Sequence, residues 1–362
     1  MRPRVAAVVE SCWHRVPGGT ATSTTRSLRA VRRRDEYDIV GLAAWHRRPP
    51  VLDELDGLSV THLPLPRKAL YELWHRWRRP RFTRQIGPVD VVHATGGVIP
   101  PRVAPLVVTI HDLAFLHRPE HFTQNGVQFM TRGFELARDE ADRIIVPSQA
   151  TADDCRAHGV EAERLRRIPW GAHSSTVSDA ERDRVRRSFG LPDHFVLFVG
   201  TREPRKNLRA LLDAHRSAAP ELPLVIAGPG GWGDDPIDAS AGAAVRAVGR
   251  VDDADLAVLY DLATALVYPS LLEGFGMPVL EAMAHGTAAV TSADTATAEV
   301  AGDTGVLIDP TDRDALGGAL ADIAADPSRW DALGNAAKDR AALFTWDATG
   351  EALAAVYDEV AA

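Results

Sequence analysis

Short apolar runs recur along the chain, each ended by a glycine, a proline or a polar residue and followed by a longer, mixed stretch. In the first half they fall at 5–9, 37–44, 58–63, 89–93, 106–110, 143–146 and 165–171. In the second half they fall at 195–200, 224–227, 245–251, 265–268 and 287–291. Brief apolar runs between breakers read as buried strands. The stretches between them read as helices: from Gly18-Gly19 through about residue 34, after the cap Ser148, from about Leu208, over 254–263, from Pro278 to about His285, over 316–343 and over 346–360. Strands alternating with helices predict an α/β chain with parallel sheets. Residues 172–184 are polar and without apolar periodicity, which places a domain boundary there. The expected organisation is one domain over 1–172, a second over 173–345 and a terminal helix over 346–362.

Composition narrows the class. A chain of 362 residues is long enough for two domains with their own cores. Hydrophobic content of 45% and charged content of 25% are those of an ordinary globular protein. A net charge of −8 argues against nucleic acid as the partner. Cys12 and Cys155 supply neither a disulfide framework nor zinc-ligand spacing, as expected in a reducing cytoplasm. The first residues hold too short an apolar run for a signal peptide, and no stretch approaches the roughly 18 apolar residues of a membrane span. Heavy use of alanine and arginine points to a bacterial source.

The chemistry concentrates in residues 264–291. There a strand feeds Glu273-Gly274-Phe275-Gly276, and a helix opens just beyond at Pro278. A glycine loop at a helix N-terminus presents backbone N–H groups to an anion. Glu273 and Glu281 frame that site, and a carboxylate beside an anion site repels phosphate. Its expected work is to accept hydroxyl hydrogen bonds from a ribose or a sugar. Phosphate together with polyol suggests a nucleotide sugar. Arg205 and Lys206 stand at the mouth of the helix from Leu208, where two cations serve an anion better than they serve the helix. Gly228-Pro229-Gly230-Gly231-Trp232-Gly233 matches G-x-G-x-x-G, but a polar loop rather than a helix is expected after it, so it is read as a decoy for dinucleotide binding.

In the first half, Gly18 and Gly19 open a helix and offer a second backbone N–H site. His111 follows a strand, at the carboxyl end where doubly wound sheets bind ligands. Residues 67–84 carry seven basic side chains (Arg67, Lys68, Arg76, Arg78, Arg79, Arg81, Arg84) against Glu72, with Leu70, Leu73, Trp74 and Trp77 at the spacing of one helix face. Such a helix can lie on an anionic membrane surface. It can equally be a solvated basic face docked by its tryptophans.

Glu273 and Glu281, seven residues apart around Gly-Phe-Gly and followed by Ala282-Met283-Ala284, resemble the paired-glutamate signature of retaining glycosyltransferases of family 4, which have the GT-B fold. Glu203-Pro204-Arg205-Lys206-Asn207 resembles the family's diphosphate motif. Some members carry an arginine where this chain has Thr201, and Arg202 is the candidate replacement. The segment 108–113 resembles the family's His-Asp motif, and Ala298-Glu299-Val300 a Pro-Glu-Val turn. The resemblance implies two doubly wound Rossmann-like domains facing across a cleft, an acceptor-binding domain first and a nucleotide-sugar-binding domain second, with the terminal helix crossing back to the first. It implies His111, Glu273, Arg205 and Lys206 as catalytic residues. The donor is expected against Gly19, Thr201, Arg202, Arg205, Lys206, Val251, Asp252, Glu273, Gly274, Phe275, Gly276 and Glu281. Asp252 or Asp253 is placed to accept guanine N–H groups, which tilts the donor from a UDP- or dTDP-sugar towards GDP-mannose.

No cofactor and no metal are expected, since the cations take that role. The acceptor is expected to be a glycan, a lipid-linked molecule or a small molecule, and the place of work the cytoplasm, or the inner face of the membrane if residues 67–84 touch it. A sugar-nucleotide epimerase or hydrolase on the same fold, and a non-catalytic GT-B scaffold of a glycan assembly complex, are the alternatives. The four intact residues Arg205, Lys206, Glu273 and Glu281 argue against the scaffold.

Overall fold

The computed structural model describes residues 2–14, 18–52, 55, 57–231, 237 and 242–362. The chain divides into two compact units, Met1–Gly171 with Thr345–Ala362, and Ala172–Phe344. Among the described residues the first unit holds seven strands: β1 (Arg4–Val8), β2 (Asp38–Trp45), β3 (Ser59–Pro66), β4 (Val91–Ala94), β5 (Leu106–Thr109), β6 (Arg143–Val146) and β7 (Leu165–Arg167). They pair in the order β3-β2-β1-β4-β5-β6-β7, parallel throughout. The second holds β8 (Val196–Val199), β9 (Leu224–Ala227), β10 (Val245–Gly249), β11 (Ala265–Tyr268), β12 (Ala288–Ser292) and β13 (Val306–Ile308). Their order is β10-β9-β8-β11-β12-β13, again parallel.

Central strands such as β8 and β11 are buried along their whole length. This is why they read as unbroken apolar runs: helices cover a parallel sheet on both faces. Twelve runs read from the sequence each correspond to a strand, within a few residues at the ends. The thirteenth strand, β13, was not read from the sequence: Val306-Leu307-Ile308 is apolar but only three residues long, with Leu307 42% exposed. In each sheet the order reverses once, between β1 and β4 and between β8 and β11. Such switch points open a crevice at the carboxyl ends of the strands, where ligands bind.

Three expected elements differ. The helix expected over 316–343 is two, Arg313–Ala325 and Pro327–Ala341, because Pro327 has no N–H to continue the first and Asp326 caps the second. Ala298, Glu299 and Val300 lie in the helix Ala296–Ala301 rather than in a turn.

The basic segment also departs from a single helix. Arg67–Glu72 is α-helical, Leu73–Trp77 is a π turn, and Arg78 ends it in the left-handed region at φ 52°. The wider π turn breaks the expected face. Leu70 and Trp74 are buried, but Trp77 turns outward and is 70% exposed. Nor is Arg78 part of a solvated basic face. Its guanidinium donates to the carbonyls of Trp74 (2.8 Å), Ile99 (2.9 Å) and Pro100 (2.8 Å) and pairs with Glu140 at 2.5 Å. No helix of the described residues is long and apolar enough to cross a membrane.

The last helix, Trp346–Ala361, belongs to the first unit. The Tyr37 hydroxyl meets the Ala354 carbonyl (3.0 Å) and the Asp358 carboxylate (2.5 Å). The Tyr357 hydroxyl meets Nδ1 of His93 at 2.7 Å, and Nε2 of His93 meets Thr109 at 2.9 Å. Burial holds His93 neutral, near 3. Gly350 lets the helix approach Gly18–Arg33: a Cβ there would lie 2.7 Å from that of Ala30 and 2.9 Å from its carbonyl carbon. Helix propensity alone would make Gly350→Ala stabilising by about 0.8–1.0 kcal/mol. Overpacking costs about 1–3 kcal/mol and wins. The urea midpoint of Gly350→Ala is therefore expected to fall; a rise would show that this close approach is not made.

Candidate active site

The switch point of the second sheet gathers the charged residues. β8 ends at Val199, and the chain turns through Gly200 into a single 3-10 turn, Pro204–Lys206. Asn207 reverses it in the left-handed region, φ 58°, and the helix Leu208–Ala218 begins. β11 ends at Tyr268 and leads to Ser270, Glu273 and the glycine loop. The two loops are tied together: the Leu271 N–H and the Ser270 hydroxyl both donate to the Arg205 carbonyl, at 2.9 and 3.1 Å.

Glu273 lies at the centre, its side chain 9% exposed. Oε1 accepts from Lys206 Nζ at 2.6 Å, from the Ser270 hydroxyl at 2.6 Å and from the Tyr268 hydroxyl at 3.0 Å. Oε2 pairs with the Arg205 guanidinium at 3.2 Å. Arg205 also meets Glu203 (2.8 Å) and donates to the Leu272 carbonyl (2.8 Å). Lys206 additionally donates to the Tyr268 hydroxyl and sits 4.9 Å from the centre of that ring. Burial by itself would raise the Glu273 carboxyl. Arg205 and Lys206, with the Lys206 and Ser270 hydrogen bonds, outweigh it and hold the group at about 2. For Lys206 burial wins, with Arg205 adding to it, and the ammonium is held below its ordinary value despite Glu273. The Glu273 carboxyl, held so low, is ionised at neutral pH. Burial, then the neighbouring carboxylate, keeps the Tyr268 hydroxyl protonated and therefore a donor.

The glycine loop follows. Gly276 caps the helix Met277–Ala284 at φ 104°, and a Cβ on it would lie 2.6 Å from Cγ2 of Thr297. Only glycine fits both constraints. Pro278 is the second residue of that helix rather than the first, and Glu281 is its fifth, one residue deeper than a start at Pro278 implies. The Glu281 carboxylate accepts from the buried Tyr260 hydroxyl at 3.1 Å. Thr201 and Arg202 follow β8 and are half-buried; Arg202 bridges in parallel to Gly230. The neighbouring glycines serve packing: a Cβ on Gly228 would lie 2.0 Å from the Gly200 carbonyl, and one on Gly231 2.1 Å from that of Arg202. Gly233 and the polar loop expected after it lie outside the described residues. Val251 is half-buried, and exposed Asp252 caps the helix Asp253–Leu262, accepting from the Asp255 N–H at 2.8 Å.

Thus the second unit brings together Arg205, Lys206, Glu273, Gly274, Phe275 and Gly276, with Glu281 on the attached helix. His111 and Gly19 belong to the first unit. Gly19 is exposed in the first turn of Gly18–Arg33, whose preceding residues 15–17 lie outside the described ones. His111 donates from Nε2 to the Thr95 carbonyl at 2.9 Å, just past β4, which leaves the lone pair on Nδ1. Burial lowers it, against the Thr95 bond and Asp112, so the ring is neutral at pH 7. Its ring lies 5.9 Å from that of Trp170.

The sequence reading missed Tyr268, Ser270, Glu203 and Tyr260. The signal for Tyr268 was available: a hydroxyl ending a fully buried strand must find a partner. Which carboxylate it meets was not legible. Glu273, expected to face sugar hydroxyls, instead meets Lys206, Arg205 and the Ser270 and Tyr268 hydroxyls.

A family profile described as Glycosyl transferases group 1 matches residues 179–340, and one described as Glycosyltransferase Family 4 matches residues 17–175. The O-antigen chain mannosyltransferase B of Escherichia coli is 32% identical over 288 residues, 76% of this chain and 71% of that protein. A D-inositol 3-phosphate glycosyltransferase of Actinosynnema mirum is 30% identical over 94% of this chain and 92% of its own. Among solved structures, HepE of Anabaena in complex with UDP and glucose superposes with a TM-score of 0.78 over 99% of this chain and all of that one, at 19% identity, a likeness of fold. With a profile over each half and a relative 32% identical across 71% of its own length, the chain belongs to the group 1, family 4 glycosyltransferases, with the two parallel sheets of the GT-B fold.

Proposed function

We propose that this glycosyltransferase moves a mannosyl unit from GDP-mannose to a glycan, lipid-linked or small-molecule acceptor with retention of anomeric configuration. The observation that carries the reading is the buried Arg205–Lys206–Glu273 group at the β8/β11 switch point, beside the glycine loop of Met277–Ala284. The mannosyl donor is supported by the mannosyltransferase relative. The bond between the anomeric carbon and the diphosphate oxygen breaks, and negative charge grows on the leaving group. Arg205, Lys206 and the N–H groups of Gly274, Phe275 and Gly276 are fixed in advance against that charge. Removing one such donor typically costs about 10²–10³ in rate.

The acceptor oxygen then bonds to the anomeric carbon on the face the leaving group vacates, and its proton passes to a phosphate oxygen. Glu281, oriented by Tyr260, holds the ribose. Glu273 keeps the two cations in place and offers the remaining lone pair of Oε2 to a sugar hydroxyl. Neutral His111 offers Nδ1 as an acceptor to a sugar hydroxyl. Thr201, Arg202, Val251 and Asp252 line the base and phosphate side of the donor, and Gly19 its sugar side. Charge neutralisation by side chains makes a metal unnecessary for this transfer.

Three measurements test these assignments. In a metal-free thermal-shift panel of GDP, UDP, dTDP and ADP, GDP is expected to stabilise the wild type by about 2.7 kcal/mol at 100 times its dissociation constant. Lys206→Ala should lose the response. Stabilisation by UDP alone would replace the donor, and silence towards all four would sink the reading.

The rate should fall at alkaline pH as Lys206 loses its proton, at a pH below the ordinary lysine value of 10.5. Lys206→Arg, always charged, should abolish that limb while retaining nucleotide binding; an unchanged limb would assign it to another group.

Glu273→Gln removes the counter-charge that buried Lys206 and Arg205 share and leaves Arg205 with Glu203, which costs about 3–5 kcal/mol when a pair is fully buried and somewhat less here, where Arg205 and Lys206 are 16% and 11% exposed. Because the folded carboxyl is depressed, its contribution is complete above the ordinary 4.5 and is lost as pH falls towards about 2. Urea denaturation should therefore show the gap between wild type and variant at neutral pH, shrinking only below pH 4.5. Equal stability at pH 7 would show that Glu273 is not the anchor.

A further inference from the structure

Away from the transfer residues, the first unit carries a second group of chemically competent side chains. His117 ends the short helix Ala114–His117, Asp154 lies in the helix Gln149–Ala157, and His158 is that helix's C-cap. Nε2 of His117 is 2.7 Å from Oδ1 of Asp154, and Nδ1 of His158 is 3.2 Å from the same oxygen. One ligand atom from each residue lies within 4.8 Å of the other two. The imidazole rings stand 5.5 Å apart and nearly perpendicular, at 84°. Phe134 closes one side, its ring 6.2 Å from that of His158. His158 Nδ1 also lies 2.9 Å from the Asp154 backbone carbonyl, a hydrogen bond that an ion on Nδ1 displaces together with its proton.

We propose that His117, Asp154 and His158 form a site for one divalent transition ion of the Zn²⁺ class. Two imidazoles and one carboxylate are a borderline-soft set that suits zinc and its neighbours rather than magnesium or calcium. Zinc–ligand bonds of about 2.0–2.2 Å place neighbouring ligand atoms about 3.3 Å apart in a tetrahedron, against 2.7 and 3.2 Å from the two ring nitrogens to Asp154 Oδ1 and at most 4.8 Å across the set. The ion takes the place of the protons that now lie between Asp154 and the rings. Three protein ligands leave a fourth position for water. The half-exposed rings leave the site open to solvent.

The site has a structural consequence. His117 lies six residues after His111, and the Thr151 hydroxyl, one turn before Asp154, reaches the His111 carbonyl at 3.5 Å. An ion at this position therefore staples the segment carrying His111 to the helix Gln149–Ala157. It takes no part in neutralising the leaving group, which belongs to Arg205 and Lys206.

Titration calorimetry of the EDTA-treated, desalted full chain with ZnCl₂, and with MgCl₂ as control, tests the proposal. One zinc per chain and no magnesium are expected, together with a rise in melting temperature in zinc. His117→Ala and His158→Ala should each weaken zinc binding at least about tenfold, the scale on which metal sites respond to loss of their supporting groups. Both side chains are partly exposed, so both variants should fold, as unchanged melting in EDTA will show. Cobalt should add visible absorption bands to the wild type that both variants lose. Zinc binding of equal strength in the wild type and both variants would place the metal elsewhere. No uptake by the wild type would leave the cluster a hydrogen-bonded group only. Either result overturns the site. The calorimetry is independent of any sugar donor, so its failure would leave the transferase reading untouched.

Discussion

The carboxylate of Glu273 is the constraint on which the second unit's site depends. Two neighbouring cations, 16% and 11% exposed, would repel each other and pay heavily in desolvation if left alone. Glu273 settles both problems with one group: Oε1 takes Lys206 and Oε2 takes Arg205. Tyr268 and Ser270 complete the shell of Oε1. The result is a pair of fixed positive charges at the end of a parallel sheet. Fixed charges stabilise a developing anion without reorganising when it forms, which is where their catalytic value lies.

That arrangement depends in turn on the strand order. β8 and β11 are neighbours although far apart in the chain, so the loop after each arrives at the same crevice. The Arg205 carbonyl then accepts from Ser270 and Leu271, which locks one loop to the other. Glycines permit the close approaches: Gly228 against Gly200, and Gly276 against Thr297. These glycines were conspicuous in the sequence, but one group imitated a dinucleotide motif. Their burden is steric, at the ends of adjacent strands.

In the first unit, local pattern and tertiary packing disagree at one place. The spacing of Leu70, Leu73, Trp74 and Trp77 fits an α-helix, yet a π turn carries Trp77 away from the buried face. The anchors lie outside the segment. Trp74 donates to the Pro80 carbonyl, and Arg78 spans to Ile99, Pro100 and Glu140. A basic residue counted as surface charge is in fact a strut.

By itself the sequence determined twelve of the thirteen described strands, several helix starts and the residues at the strand ends. Burial on both faces writes parallel strands as apolar runs, and glycine and proline mark their limits, all within a few neighbouring residues. It also marked Arg205, Lys206 and Glu273 as chemistry, because charge beside a glycine loop conflicts with a merely structural role. Tertiary structure alone decided that Glu273 holds the cations, that Tyr268 and Tyr260 orient the two glutamates, and that His117 meets Asp154 and His158. Each of those contacts joins residues on different elements, and its geometry is set by strand order and helix packing, to which no local pattern in the chain is sensitive.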